Sequence, residues 1–258
     1  PPLNGQEAIV MGSSTDQSQN RTFIDTYNRA VELGEAGDFP SAIALTRDLC
    51  TRYPTDATAW SHLSGLLNQQ KDHRGALAAA QDAIARDPGH SPAYINAGIA
   101  ARGLRDLEAA RQHLKEATRI APSDPDAQLE LGITLVRLRQ AHAAVDAFIR
   151  SIAEAHRKEV RSVWLIERSI EGLAGIKPQP SLDEPLRSLH DGIRRLVTGD
   201  FAHAYQRIEH ARDAALDDET VRGAAEALLG YVWRQHALTN PTDPNDGRDQ
   251  SRTNVLYL

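Results

Sequence analysis

Between Tyr94 and Leu135 the chain runs through two apolar-polar patterns of helical period, turns, and begins again: "YINAGIAARGLRDLEAARQHLKEATRIAPSDPDAQLELGITL". Apolar side chains recurring every three to four residues give each helix one apolar face. Two such helices joined by a short polar turn predict an antiparallel helical hairpin. Its second helix stops near Pro122, because proline lacks an N–H and restricts the residue before it. Pro54, Pro88 and Pro122 stand 34 residues apart each time, so the hairpin is one unit of a tandem repeat.

With units starting at Phe23, Ala57, Ser91 and Pro125, like residues fall in register. Position 8 is Ala30, Ser64, Gly98 and Gly132, and position 20 is Ala42, Ala76, Ala110 and Ala144. Small residues there predict a close approach of the two helices. Position 24 is Thr46, Ala80, Leu114 and Phe148, and position 27 is Leu49, Ala83, Ala117 and Ser151. The larger apolar residues at position 24 are expected to fill the gaps between repeats. Gly37–Asp38, Lys71–Asp72 and Arg105–Asp106 mark the turn inside each hairpin. One hairpin cannot bury its apolar face alone, whereas stacked neighbours bury it together.

Residues 23–158 resemble four tetratricopeptide repeats, and Trp60, Leu63, Ala76, Ala83 and Pro88 of the second unit match that family's pattern most closely. The departures are Thr26, where a large aromatic is usual, and His156 in place of the terminal proline of unit four. The resemblance implies an all-α fold, a right-handed α-solenoid of helical hairpins closed by a capping helix. After residue 158 the period breaks. Residues 159–184 read as an extra amphipathic helix, with Val160, Val163, Trp164, Ile166 and Ile170 apolar, followed by a proline-rich linker. Residues 185–238 read as a degenerate fifth repeat plus the capping helix, with Gly192, Ala204, Ile208 and Ala211 at positions 8, 20, 24 and 27. The polar residues 1–22 are expected to lack fixed structure, and 239–258 read as a linker-like tail. The last four residues, "VLYL", leave three accounts open: a strand lying in the groove, a sequence read by another protein, or the start of a further domain.

In this family the first helix of each unit lines a concave groove, at positions 2, 5, 6, 9, 12 and 13. Carried over, the resemblance implies a peptide-binding face of Tyr27 and Asn28, with Ile24 and Val31 beside them. It continues through Thr58, Ser61, His62, Asn68 and Gln69, then Ile95, Asn96, Ile99 and Arg102, then Asp126, Leu129, Glu130 and Ile133. Asn and Gln side chains both donate and accept, which suits the backbone of an extended peptide. Ile95, Ile99, Leu129 and Ile133 are expected to take apolar side chains. A clamp for a partner's terminal carboxylate is not expected, because Asp126 and Glu130 stand where cations are needed. The implied function is a non-catalytic scaffold for a protein or extended peptide. The alternative is a recruiting or dimerising arm of a larger enzyme whose catalytic domain follows residue 258: a sulfotransferase, a glycosyltransferase or an aspartyl/asparaginyl hydroxylase-like oxygenase. A chain that does not begin with Met suits that alternative.

Composition narrows the field further. A net charge of −6 with interleaved signs disfavours nucleic acid. The single cysteine, Cys50, excludes an internal disulfide and a cysteine-based metal cluster, and is read as a buried small residue. No apolar run of about 18 residues is present, so membrane insertion is not expected. A cytoplasmic protein is expected, with a periplasmic origin and homo-oligomers left open. No phosphate-binding glycine loop or zinc-protease motif occurs, and no cofactor or metal is expected. His203 and His210, seven apart on one helix face, read as surface residues rather than a metal pair, and His190 falls at a groove position of the fifth unit. "DPNDGRD" (243–249) lacks the glycine and glutamate spacing of a calcium loop and reads as linker.

Overall fold

The computed structural model describes residues 14–157, 163–177 and 181–239, and among them there are twelve helices and no strand. They are α1 (Ser14–Glu35), α2 (Phe39–Arg52), α3 (Ala57–Gln69), α4 (His73–Arg86), α5 (Ser91–Gly103) and α6 (Leu107–Ile120), followed by α7 (Pro125–Arg137), α8 (Ala141–Arg157), α9 (Val163–Ala174), α10 (Glu184–Val197), α11 (Phe201–Ala214) and α12 (Glu219–Thr239). They fall into two compact units, one running to Pro122 and the other starting at Ser123.

The first unit is three hairpins, α1–α2, α3–α4 and α5–α6, each stacked on the next. Each hairpin turns through one left-handed residue at position 15: Gly37 (φ 83°), Lys71 (65°) and Arg105 (67°). The aspartate that follows does two jobs. The backbone N–H groups of Asp38, Asp72 and Asp106 donate to Leu33, Leu67 and Ala101 carbonyls at 2.8, 2.9 and 2.9 Å, closing the first helix. Their carboxylates then accept from the N–H groups of Ser41 (3.2 Å), Gly75 (3.0 Å) and Ala109 (3.0 Å), capping the second. Between hairpins, the Pro54 carbonyl accepts from the Trp60 indole N–H (3.3 Å) and from Arg86, whose guanidinium lies 4.4 Å from the Trp60 ring centre.

Within a hairpin, positions 8 and 24 exchange volume. In the second hairpin position 24 is only Ala80, and the Ser64 hydroxyl donates to the Ala76 carbonyl at 2.7 Å. Gly98 leaves room for Leu114: a Cβ at residue 98 would stand 2.5 Å from Leu114 Cγ. The second unit repeats the device with Gly132 against Phe148 (2.8 Å) and Gly192 against Ile208 (2.6 Å). Position 24 therefore packs first against its own hairpin, not only into the gap between repeats. Phe148 does reach the gap as well, meeting Gly172 of α9.

Two boundaries differ from the sequence reading. Helix α1 starts at Ser14, so 14–22, expected to lack fixed structure, are helical. The stretch has no Gly or Pro to break a helix, and no apolar residue before Phe23 to reveal a period. Helix α8 runs for 17 residues, against 14 in α2, α4 and α6, because His156 replaces the proline that stops the others.

In the second unit, α9 packs on α7 and α8, and α10–α11 forms the fifth hairpin, turning at Gly199 (φ 81°). Helix α9 buries Leu165, Ile166, Ser169, Ile170 and Leu173, while Val163 and Trp164, expected on its apolar face, are exposed; Val160 lies outside the described residues. The expected capping helix is α12. It covers α11 and also packs against α8, with Val221, Ala224, Ala225, Leu228 and Val232 buried. The Tyr231 hydroxyl donates to Glu167 of α9 at 3.2 Å. Residues 240–258, including the reading of 243–249 as linker and the final "VLYL", lie outside the described residues.

Candidate functional site

The first helices α1, α3 and α5 carry most of the residues expected in the groove, and the structure sorts them into three groups. Position 5 is interior in units two to four, while Tyr27 of the first unit is half-buried. Ser61, Ile95 and Leu129 are 3%, 9% and 0% exposed, so Ile95 and Leu129 do not offer apolar surface to a ligand as expected. In the helical projection this position sits on the flank turned toward neighbouring helices, not on the open face.

The second group staples helices together. The Asn96 side-chain amide donates to the Ser61 backbone carbonyl at 2.9 Å and lies 3.4 Å from the Ser61 hydroxyl. The Asn68 amide donates to the Asn96 carbonyl at 2.9 Å, and its oxygen meets the His73 ring nitrogen at 3.4 Å. Both asparagines thus join α3 to α5, each committing a side-chain donor to the neighbouring helix.

The third group stays at the surface. Asn28 and Gln69 are exposed, and Tyr27, His62, Ile99 and Arg102 are half-buried. In the second unit Glu130 and Ile133 are half-buried.

Tyr27, Thr58, Ser61, His62, Gly65, His90, Pro92 and Asn96 line a pocket of about 230 Å³ in the first unit. The Tyr27 and His62 rings form one wall, with centres 4.9 Å apart and planes tilted by 51°. The Nε2 atom of His62 is buried and has no hydrogen-bond partner among the described residues. Burial lowers the pKa of His62, which keeps it neutral, and burial together with Asp56 raises that of Tyr27. Among the described residues, no carboxylate, ammonium or guanidinium lines the pocket. Gly65, His90 and Pro92 were not among the expected groove residues. Pro92 occupies position 2, which the family pattern assigns to the groove, whereas His90 precedes the repeat start and carried no signal.

A second pocket, of about 290 Å³, lies in the second unit between the end of α8 and the start of α12. Its charges are mixed, with Glu154, Arg157, Glu219, Arg222 and Glu226 around it and Arg157 paired to Glu154.

The histidines singled out in the second unit have structural partners. His203 bonds Asp200 (2.8 Å) and His210 bonds Glu184 (2.9 Å), so the two histidines engage different acids. Among the described residues no group of three or more His, Cys, Asp or Glu side chains comes together. His190 is 3% exposed and bonds the Leu173 carbonyl at 2.9 Å, so it ties α10 to the end of α9 instead of lining a groove. Burial pushes the Cys50 thiol up to about 11, leaving it protonated and a poor nucleophile. No helix among the described residues is long and apolar enough to cross a membrane.

A family model described as "Tetratricopeptide repeat" matches residues 27–91 and 95–159. No curated protein matches the chain. Among solved structures the chain is similar to pilF of Pseudomonas aeruginosa, at 14% identity over 88% of this chain and 95% of that one, with a TM-score of 0.51. It is also similar to a thermophilic TPR protein of Thermus thermophilus, TTC0263 (20% identity, 80% and 99% coverage, TM-score 0.49). A third is MamA of Desulfovibrio magneticus (21% identity, 54% and 78% coverage, TM-score 0.46). Likeness at such identities concerns the fold alone, and the fold shared with pilF is a stack of helical hairpins.

Proposed function

The chain belongs to the tetratricopeptide repeat family, and from that premise we propose that it is a non-catalytic scaffold holding an extended segment of a partner protein against its first helices. The observation that carries this reading is the pocket formed by α1, α3 and α5, together with exposed amides on α1 and α3. A pocket walled by rings offers one side-chain socket, and the exposed Asn28 and Gln69 on the same first helices are two groups able to bond a peptide backbone. Asn68 and Asn96 act differently. By fixing α3 to α5 they hold the face rigid, so the partner loses little binding energy in ordering it.

Peptides selected from a random displayed library against the full chain test this. Asn28→Ala combined with Gln69→Ala removes two exposed amides that hold no structure in place. Each hydrogen bond is worth about 1 kcal/mol, so the pair is expected to weaken selected peptides by roughly 30-fold. Arg47→Ala with Lys115→Ala, exposed on the second helices, is expected to leave them unchanged. The reverse pattern would overturn the assignment of the binding face.

A further inference from the structure

Resting on the reading above, we propose that the segment held across α3 and α5 is itself uncharged where it crosses them, and that it binds by apolar contact and amide hydrogen bonding instead of ion pairing.

These two helices differ in composition from the helices they pair with. Helix α3 contains no Asp, Glu, Lys or Arg, and α5 contains only Arg102, half-buried in its last turn. Burial does not explain this. Thr58, Gln69 and Pro92 are exposed, and His62, Gly65 and Ile99 are half-buried, where a surface helix ordinarily carries charge. Helix α6, the hairpin partner of α5, does carry it, with Glu108, Lys115 and Arg119 exposed.

Register gathers the neutral positions on one face. Thr58, His62, Gly65 and Gln69 follow one another at intervals of four, three and four residues, and Pro92, Asn96 and Ile99 at four and three, so each set forms one stripe along its helix. The stripes lie side by side, because the Asn96 amide bonds the Ser61 carbonyl at 2.9 Å and residues of both stripes line the same pocket. Burial keeps His62 neutral. The nearest carboxylates along the chain stand at the ends of α3 and are engaged as caps. Asp56 accepts from the N–H groups of Thr58 (2.8 Å) and Ala59 (3.0 Å), and Asp72 from that of Gly75 (3.0 Å).

A neutral strip selects by what it does not offer. A lysine, arginine, aspartate or glutamate side chain pressed onto it would shed its hydration with no counter-ion in return. Apolar side chains meet no such cost, and the Gln69 amide and Thr58 hydroxyl can bond backbone or amide groups of the segment. The desolvated core of a protein interface is depleted of charge for the same reason. Attraction of this kind is also indifferent to salt, which screens ion pairs.

The test takes peptides selected from a random displayed library against the full chain, and analogues of one of them with lysine or aspartate at each position in turn. Backbone amide signals of Thr58, Gln69 and Ile99 report contact with the strip. The selected peptides are expected to shift these signals and to lack charge over the contacting stretch. Lysine or aspartate within that stretch is expected to weaken binding roughly tenfold, and the parent peptide to change affinity by less than about twofold between about 0.05 and 0.5 M sodium chloride. Thr58→Glu places an acid in the first turn of α3, where the helix tolerates it, and is expected to reverse the penalty for at least one lysine analogue. Peptides that shift these signals yet carry a recurrent charge over the contact, or that lose tenfold in affinity across that salt range, would overturn the neutral-segment inference and leave the binding-face reading standing. So would indifference of every lysine analogue to Thr58→Glu. Selected peptides that shift no signal on any first helix would overturn both.

Discussion

The exchange of volume between positions 8 and 24 makes a quantitative claim about the third hairpin. On an open helix surface Gly→Ala gains about 1 kcal/mol of helix propensity. At Gly98 the new Cβ would stand 2.5, 2.9 and 3.0 Å from the Cγ and two Cδ atoms of Leu114, which is fully buried and has nowhere to retreat. Overpacking costs roughly 1–3 kcal/mol, so Gly98→Ala is expected to destabilise despite the propensity gain, by about 1 kcal/mol net. Leu114→Ala alone opens a cavity and is expected to cost roughly 2–5 kcal/mol. The double substitution Gly98→Ser with Leu114→Ala copies the second hairpin, where position 24 is Ala80 and Ser64 bonds the Ala76 carbonyl. The equivalent acceptor in the third hairpin is the Ala110 carbonyl, so the new hydroxyl has a partner and partly fills the cavity. The double variant is expected to be more stable than the sum of its singles by at least about 1 kcal/mol. Urea unfolding followed by helicity reads this, with the denaturant slope compared across variants to confirm that each undergoes the same transition. Strict additivity within about 0.3 kcal/mol would refute the volume exchange.

Three further expectations follow from the same contacts. Lys71→Gly and Arg105→Gly, at φ 65° and 67°, relieve a left-handed strain and are each expected to stabilise by up to about 1 kcal/mol, whereas Gly37→Ala destabilises; calorimetric melting decides. Cys50, buried and shifted up to about 11, is expected to ignore a disulfide reagent near pH 8 in the folded chain and to react at once in urea; rapid labelling of folded protein would contradict this burial. Burial lowers the pKa values of His62, His113 and His190 below their ordinary value of 6.5, so the unfolded chain binds protons first on acidification. Their neutral forms contribute full stability above about pH 6.5, and it is lost as pH falls through the folded values; a melting temperature flat or rising from about pH 6.5 to 5 would exclude this, and His190→Gln should flatten part of the fall.

The repeat frame was legible because its punctuation is chemical. Asp38, Asp72 and Asp106 must both follow a left-handed residue and cap a helix, and Pro54, Pro88 and Pro122 must end one, so each recurs at a fixed place. The binding face was legible only in part. An asparagine that bonds a neighbouring helix, as Asn68 and Asn96 do, has the same letter as one facing solvent, as Asn28 does. Leu129 and Ile133 differ by one helical turn, yet only the assembled stack decides that the first is sealed and the second half-open. His90 and Gly65 meet in one pocket because α3 and α5 are stapled side by side, which no local pattern reports. The reach of α12 back to α8 is likewise a contact distant in sequence, and the polar start of α1 had no apolar rhythm to read.

The measurement that tests the central claim most directly is amide hydrogen exchange of the full chain with and without a library-selected peptide. Slowed exchange confined to residues 24–31 of α1, 58–69 of α3 and 92–99 of α5 is the predicted result. Protection on α2, α4 and α6, with the first helices unchanged, would contradict the account.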